Sequence, residues 1–101
     1  MVFKKLCEDI TAYMERDPAA KGPAEIILCY PGFHALVFHR ASSWLWKHHL
    51  FLFGRFLSHL GKMFTAIEIH PAAEIGRRLV IDHGTGVVIG ETAVIGDDVT
   101  L

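Results

Sequence analysis

Aliphatic side chains recur at every sixth position in the segment from residue 67 to residue 101. A period of six differs from the 3.6 of an α-helix and from the two of a flat strand. It is typical of a parallel β-helix, in which the chain winds as a triangular coil with three hexapeptides to each turn. The small and aliphatic residues in this phase are Ile69, Ile75, Ile81, Val87, Ala93 and Val99. The glycines that we expect at the corners, with positive φ, are Gly76, Gly84, Gly90 and Gly96.

Helical patterns fill the part of the chain that precedes this repeat. Apolar residues at helical spacing predict helices over residues 3–15, 24–29, 31–48 and 50–64. The sequence therefore predicts an α+β fold, with a helical amino-terminal and oligomerisation domain at residues 1–65 and the first two coils of a β-helix at residues 66–101.

The last predicted helix is apolar around much of its girth. The residues that make this apolar face are Leu50, Phe51, Phe53, Phe56, Leu57, Leu60 and Phe64. So large an apolar surface favours burial against another subunit. A helix lying on a membrane surface is the alternative, but the nearby basic residues are scattered and form no dense polar face.

Charge and composition narrow the classes of function. Residues 1–66 carry eight Lys and Arg against five Asp and Glu, whereas residues 67–101 carry two against six. An acidic repeat without a basic stripe argues against nucleic acid as a partner. The two cysteines, Cys7 and Cys29, have no metal-binding or redox spacing. We interpret both as free thiols and expect a soluble, cytoplasmic protein with no metal and no membrane partner.

Polar residues in the repeat suggest acid–base chemistry. Glu68 and His83 are fifteen residues apart, three short of a full turn of eighteen, so a carboxylate and an imidazole are expected to meet. Asp82 adjoins His83. A carboxylate that holds one imidazole nitrogen leaves the other free to act as a base near neutral pH. The alternatives are that His83 only binds a corner carbonyl and that Asp17, before Pro18, only caps a helix.

Several separate motifs resemble serine O-acetyltransferase, in its bacterial short form. In the repeat they are Ile67-Glu68-Ile69-His70-Pro71-Ala72-Ala73, Ile81-Asp82-His83-Gly84 and Val88-Ile89-Gly90-Glu91-Thr92. In the helical part they are Arg16-Asp17-Pro18-Ala19 and Pro31-Gly32-Phe33-His34-Ala35. The resemblance extends over essentially the whole chain.

This resemblance implies a fold, a reaction and a set of roles. The family transfers acetyl from acetyl-CoA to the hydroxyl of L-serine, in cysteine biosynthesis, on a left-handed β-helix that assembles as a trimer or a pair of trimers. By position, His83 would be the general base and Glu68 its orienting carboxylate, where many members carry Asp. Asp82 and Asp17 would contact the amino group of the substrate. L-cysteine would act as a feedback inhibitor at the serine site.

Family members continue for further coils beyond the position of Leu101. Those coils bear the acetyl-CoA groove and the tail that docks on cysteine synthase, so no residue is assigned to acetyl-CoA here and this chain is expected to be inactive alone. Two other interpretations stay open from the sequence. One is a non-catalytic oligomerisation module, and the other is a hexapeptide acyltransferase that acts on a different acceptor.

Overall fold

The structure, a computed structural model, describes residues 2–101 and consists of four helices followed by four short strands. The helices are α1 (Val2–Arg16), α2 (Pro23–Cys29), α3 (Pro31–Lys47) and α4 (Phe51–Thr65). The strands are β1 (Glu68–Ile69), β2 (Glu74–Ile75), β3 (Val88–Ile89) and β4 (Val94–Ile95). The four predicted helices are confirmed to within one residue at each end. Met1, the first residue of the predicted helical domain, lies outside the described residues.

Proline and a left-handed residue set the helix boundaries. Pro23 and Pro31 each begin a helix, where the missing N–H is not needed and the fixed φ is already helical. Helix α4 ends at Thr65, and the next residue, Ala66, has φ 60° and donates its N–H to the carbonyl of Lys62. This left-handed residue ends the helix and turns the chain into the strand region.

The predicted helix cap at Asp17 is wrong. Residues 17–20 form a turn rather than a helix start, and Asp17 Oδ1 accepts the N–H of Ala19 at 2.9 Å within that turn. An Asp side chain that bonds the backbone two residues ahead competes with helix formation. Helix α2 begins later, after Gly22, without a side-chain cap.

Parallel pairing in the strand region has a period of 20 residues, not the predicted 18. Strand β1 pairs with β3 in the register Glu68 to Val88, and β2 pairs with β4 in the register Glu74 to Val94. A bridge joins Val80 to Thr100. Strand positions are six apart within each turn, but eight separate Val80 from Val88, so the loop at residues 81–87 contains two extra residues.

This insertion changes the phase of the repeat after residue 81. Val87, Ala93 and Val99 lie twenty residues after Ile67, Ala73 and Leu79, and not in line with Ile69, Ile75 and Ile81 as predicted. Both phases still contribute to the core. The second phase is filled by Ile89 and Ile95, which pair with Ile69 and Ile75.

The expected positive φ angles at the corner glycines are also wrong. In the strand region, positive φ occurs instead at Arg78, His83, Gly86 and Asp98. The residues Arg78 and Asp98 are one turn apart and form an ion pair, with Nε 2.8 Å from Oδ1. Asp tolerates the left-handed region better than most residues, and the pairing of two stacked corners supports the strained conformation of Arg78.

The core runs continuously from the helices into the first turn of the strand region. Its buried apolar members are Ala12, Tyr13, Ile26, Phe33, Ala35, Leu36, Ile67, Ile69, Ala73, Leu79, Val80, Ile81 and Ile89. Arg40 on α3 lies between the two regions. Its guanidinium pairs with buried Asp9 and donates to the carbonyls of Ile75 and Gly76.

Helix α4 leaves most of its apolar face uncovered. Large side chains that are exposed on and next to it are Leu50, Phe51, Leu52, Phe53, Phe56, Met63 and Phe64. The glycines Gly54 and Gly61 are buried and let α4 lie close to α3. Over residues 2–101, no helix is both long and apolar enough to cross a membrane.

Candidate functional site

A cavity of about 130 Å³ lies where the helical region meets the strand region. Its walls are Tyr13, Arg16, Asp17, Pro18, Tyr30, Val80, Asp82 and Thr100. We call it the seam cavity. It brings together Asp17 and Asp82, which are 65 positions apart in the chain. Its size suits a small polar molecule rather than a large apolar ligand.

Two hydrogen bonds fix the carboxylate of Asp17. The hydroxyl of Tyr30 donates to Oδ2 at 2.5 Å, and the N–H of Ala19 donates to Oδ1 at 2.9 Å. These donors, Tyr30 first, lower the pKa of Asp17, since both favour the ionised form. The same bond raises the pKa of Tyr30 to about 12, so its hydroxyl stays a donor. Asp17 is therefore held as an anion at the cavity wall.

Tyr13 fixes the backbone just before Asp82. Its hydroxyl donates to the carbonyl of Ile81 at 3.2 Å and accepts the N–H of Ile81 at 3.0 Å. Burial raises the pKa of Tyr13 to about 12, which keeps it protonated for this double role. Gly32 lies against the same carbonyl, because a Cβ there would lie 2.3 Å from the Ile81 oxygen. Helices α1 and α3 thus set the position from which Asp82 enters the cavity.

His83 occupies the inserted loop, beside the seam cavity. Its φ is 51° and its side chain is 94% exposed, with Nε2 3.4 Å from Oδ1 of Asp82. A positive charge on His83 would add, after the hydrogen bonds from Tyr30 and Ala19, to lowering the pKa of Asp17. An exposed imidazole beside the Asp82 carboxylate can accept a proton from a molecule bound in the adjacent cavity.

The expected contact between Glu68 and His83 is wrong for this structure. The carboxylate of Glu68 pairs instead with Lys62 on α4, at 3.0 Å, and this hydrogen bond lowers the pKa of Glu68. Across residues 2–101, no hydrogen bond or ion pair joins Glu68 to His83. The ion pair explains the difference, because it holds the Glu68 carboxylate against Lys62 of α4.

The sequence patterns assign no role in this site to three of its contributors. These are Tyr13, Tyr30 and Gly32, the last of which appears only within the motif Pro31-Gly32-Phe33-His34-Ala35. For Tyr30, which precedes the helix-starting Pro31, the sequence holds only a weak signal of a role in the site. That signal is its hydroxyl, because a half-buried tyrosine hydroxyl usually finds a hydrogen-bond partner. Arg16 also binds across the seam, through the carbonyl of Val99 and the carboxylate of Asp98.

Three other residues with potentially reactive side chains, His70, Cys7 and Cys29, do not line the seam cavity. His70 Nδ1 accepts the N–H of Ala72 at 3.0 Å and so stabilises the turn that follows β1. Cys7 and Cys29 are exposed free thiols in the helical region. Within residues 2–101, no group of three or more His, Cys, Asp or Glu is placed to hold a metal ion.

Serine acetyltransferases match this chain both in its amino-terminal segment and over nearly its whole length. Residues 1–37 match the sequence family described as serine acetyltransferase, N-terminal. A serine acetyltransferase of Synechococcus elongatus is 53% identical over 96 residues, which cover 95% of this chain and 39% of that protein. A serine acetyltransferase of Bacillus pumilus is 50% identical over 101 residues, or 100% of this chain and 46% of that protein.

Solved structures agree with the sequence matches. Soybean serine acetyltransferase complexed with serine superposes with a TM-score of 0.95 at 39% identity, over 99% of this chain and 41% of that one. A serine acetyltransferase in complex with CoA superposes with a TM-score of 0.95 at 35% identity, over 98% of this chain and 42% of that one. The chain belongs to the serine acetyltransferase family, and it spans less than half the length of these relatives.

Proposed function

We propose that this chain forms the serine-binding part of a serine acetyltransferase, which moves the acetyl group of acetyl-CoA to the hydroxyl of L-serine. The observation that carries the proposal is the seam cavity. Asp17 and Asp82 both line it, and His83 lies next to Asp82. Two carboxylates can bind the ammonium group of an amino acid, and a small cavity suits L-serine in size. The names of relatives that bind serine and CoA support this assignment.

In the proposed reaction, His83 takes the proton from the serine hydroxyl as a general base. The hydroxyl oxygen then attacks the carbonyl carbon of the acetyl thioester. The C–S bond breaks, the CoA sulfur leaves, and the proton held by His83 passes to that sulfur. Direct attack is favoured because the only two cysteines of the chain, Cys7 and Cys29, lie on α1 and α2 rather than beside His83.

Glu68 is proposed as the carboxylate that stabilises the imidazolium in the assembled enzyme. Within one chain it pairs with Lys62, and Asp82 is the carboxylate beside His83. The role of Glu68 therefore depends on a rearrangement of that ion pair or on a neighbouring subunit. If the role is right, Glu68→Gln lowers turnover more than Glu68→Asp does, since only Asp keeps the charge.

The test of the proposed function is a chimaera in which residues 1–101 replace the matching segment of the Bacillus pumilus relative. We expect this protein to release thiol from acetyl-CoA when L-serine is present. His83→Ala should lower its turnover by roughly 10²–10⁴-fold, the usual contribution of a general base. Unchanged turnover in His83→Ala, or a trapped acetyl-cysteine, would contradict the mechanism.

We also propose the finer features of the family for this chain: a left-handed β-helix, a trimer or pair of trimers, and feedback inhibition by L-cysteine at the serine site. Docking on cysteine synthase is proposed only for a protein that carries the family tail. The parallel register and the six-residue strand spacing support the β-helix. A cytoplasmic location remains a prediction from the sequence.

A role in oligomerisation is a second proposal, and it is compatible with the first. The exposed side chains of Phe53, Phe56 and Phe64 on α4 favour it, at 62%, 59% and 78% exposure. Contiguous apolar surface of this kind commonly marks a protein interface. Light scattering at micromolar concentration should report an oligomer, and a clean monomer would contradict this role.

A further inference from the structure

A second and larger cavity, of about 460 Å³, lies between α1, α3 and the segment around β2. We call it the α1–α3 cavity. Its volume falls within the range of roughly 300–1,000 Å³ that is usual for small-molecule sites. It shares no lining residue with the seam cavity, where the serine-binding site is proposed.

The walls of the α1–α3 cavity carry an excess of positive charge. Lys5, Arg40 and Lys47 line it, against the single carboxylate of Glu74. Arg40 is committed to buried Asp9, but neither lysine forms an ion pair within the described chain. Burial, and after it the charges of Lys47 and Arg40, lower the pKa of Lys5. Cations that repel one another in this way would be stabilised by an anion between them.

Apolar and neutral groups form the rest of the wall. Both tryptophans of the chain, Trp44 and Trp46, line the cavity. Trp46 is held by edge contacts to Phe51 and His70, at ring distances of 4.8 and 5.2 Å. His39 is buried in the wall, and its burial lowers its pKa to about 3, so it is neutral at physiological pH. The cavity thus combines flat apolar rings with two ammonium groups.

We propose that the α1–α3 cavity binds a small phosphate monoester that has a flat, apolar body. The two lysines would hold the phosphate, because ammonium groups bind phosphate as point charges. The indole rings would cover the apolar body by offset or edge stacking. Glu74, at the exposed side of the cavity, would disfavour ligands with a second anionic group.

The probe for this site is phenyl phosphate, and the reporter is tryptophan fluorescence of the 101-residue chain. Since both tryptophans of the chain line this cavity, a ligand bound there is expected to change their emission. We expect saturable quenching with a dissociation constant on the order of 1 mM or tighter. Benzyl alcohol, which has the ring without the charge, should give no saturable change over the same range. Serine and acetyl-CoA are absent, so failure here leaves the proposed function untouched.

Matched lysine variants locate the binding. Lys5→Gln and Lys47→Gln should each weaken phenyl phosphate at least about fivefold, the effect expected for losing one charged hydrogen bond. Lys4→Gln, one residue from Lys5 but exposed and outside the cavity, should bind as the parent does. Absence of saturable quenching in the parent chain would overturn the proposal. Equal weakening by Lys4→Gln, or equal binding of benzyl alcohol, would overturn it too.

Discussion

The helical region and the strand region of this chain are stabilised in different ways. The helices bury whole side chains, such as Ile26 and Leu36, between one another. The strand region buries its first turn against the helices, while its second turn stays open, with Val88 66% and Val94 72% exposed. The first turn packs against the helices, whereas the second is held by the parallel ladder, by the corner ion pairs and by Arg16 of α1, which binds the Val99 carbonyl and Asp98.

Buried polar contacts join the two regions, in addition to the apolar core that runs between them. Arg40 links α1 and α3 to the carbonyls that follow β2, and Tyr13 links α1 to the backbone of Ile81. Buried polar bonds need correct geometry, since an unsatisfied partner costs more free energy than the bond contributes. These bonds also account for the position of the seam cavity. They fix the backbone of the first turn just before Asp82, which lines the cavity.

Arg40→Met should cause the largest loss of stability in the helical region. It leaves the buried carboxylate of Asp9 without its partner, which typically costs about 3–5 kcal/mol. The matched control is Lys62→Met, which breaks an exposed pair with Glu68 at 3.0 Å and should cost at most about 1 kcal/mol. Urea unfolding of the 101-residue chain measures both free energies. Equal losses of unfolding free energy in the two variants would contradict the view that the buried Arg40–Asp9 pair stabilises the contact between the helical and strand regions.

Protonation of His39 should destabilise the helical region as the pH falls. Burial lowers the pKa of this histidine to about 3 in the folded chain, against about 6.5 in the unfolded one. The unfolded state therefore binds the proton first, and stability is lost as the pH falls below 6.5. Linkage gives a loss of about 2 kcal/mol between pH 7.5 and pH 5. Urea titrations at both pH values should show this loss shrinking in His39→Gln, and an unchanged loss would show that another group is responsible.

Tyr30→Phe should have a smaller effect, confined to the seam. It removes the hydroxyl that donates to Asp17 and so raises the pKa of that carboxyl towards its usual range. In the chimaera we expect KM for L-serine to rise about fivefold with little change in kcat. The control introduces Tyr30→Phe into the Asp17→Asn variant, in which the tyrosine hydroxyl has no carboxylate to stabilise. A rise in KM that persists there would mean that Tyr30 acts by another route.

Helix positions and the parallel repeat could be predicted from sequence because each depends on a local period. The helices follow apolar spacing and the two prolines at Pro23 and Pro31, and the strands follow the six-residue repeat. The turn of 20 residues could not be predicted in this way, because two extra residues in the loop at residues 81–87 leave the aliphatic pattern apparently unbroken. Small and aliphatic residues fill both phases, so the period alone does not reveal the shift.

The site was predictable only in part for a related reason. The fifteen-residue spacing predicts a contact between Glu68 and His83. It takes no account of Lys62 on α4, which pairs with Glu68 in the structure. The resemblance placed Asp17 and Asp82 at one substrate, and both line the seam cavity. The supporting bonds of Tyr13 and Tyr30 depend on how the helices pack against the first turn, and no local pattern encodes that packing.

The claim that one substrate binds across the seam is tested most directly by a double-mutant cycle in the chimaera. Asp17→Asn, from the helical region, and Asp82→Asn, from the strand region, are compared singly and together by kcat/KM for L-serine. If both carboxylates bind one ammonium group, their effects should be coupled, because the two residues share a partner. The factor by which kcat/KM falls in the double variant should then be smaller, by at least about fivefold, than the product of the factors for the two single variants. Losses that multiply without coupling would show that the two residues act independently and would contradict a shared site at the seam.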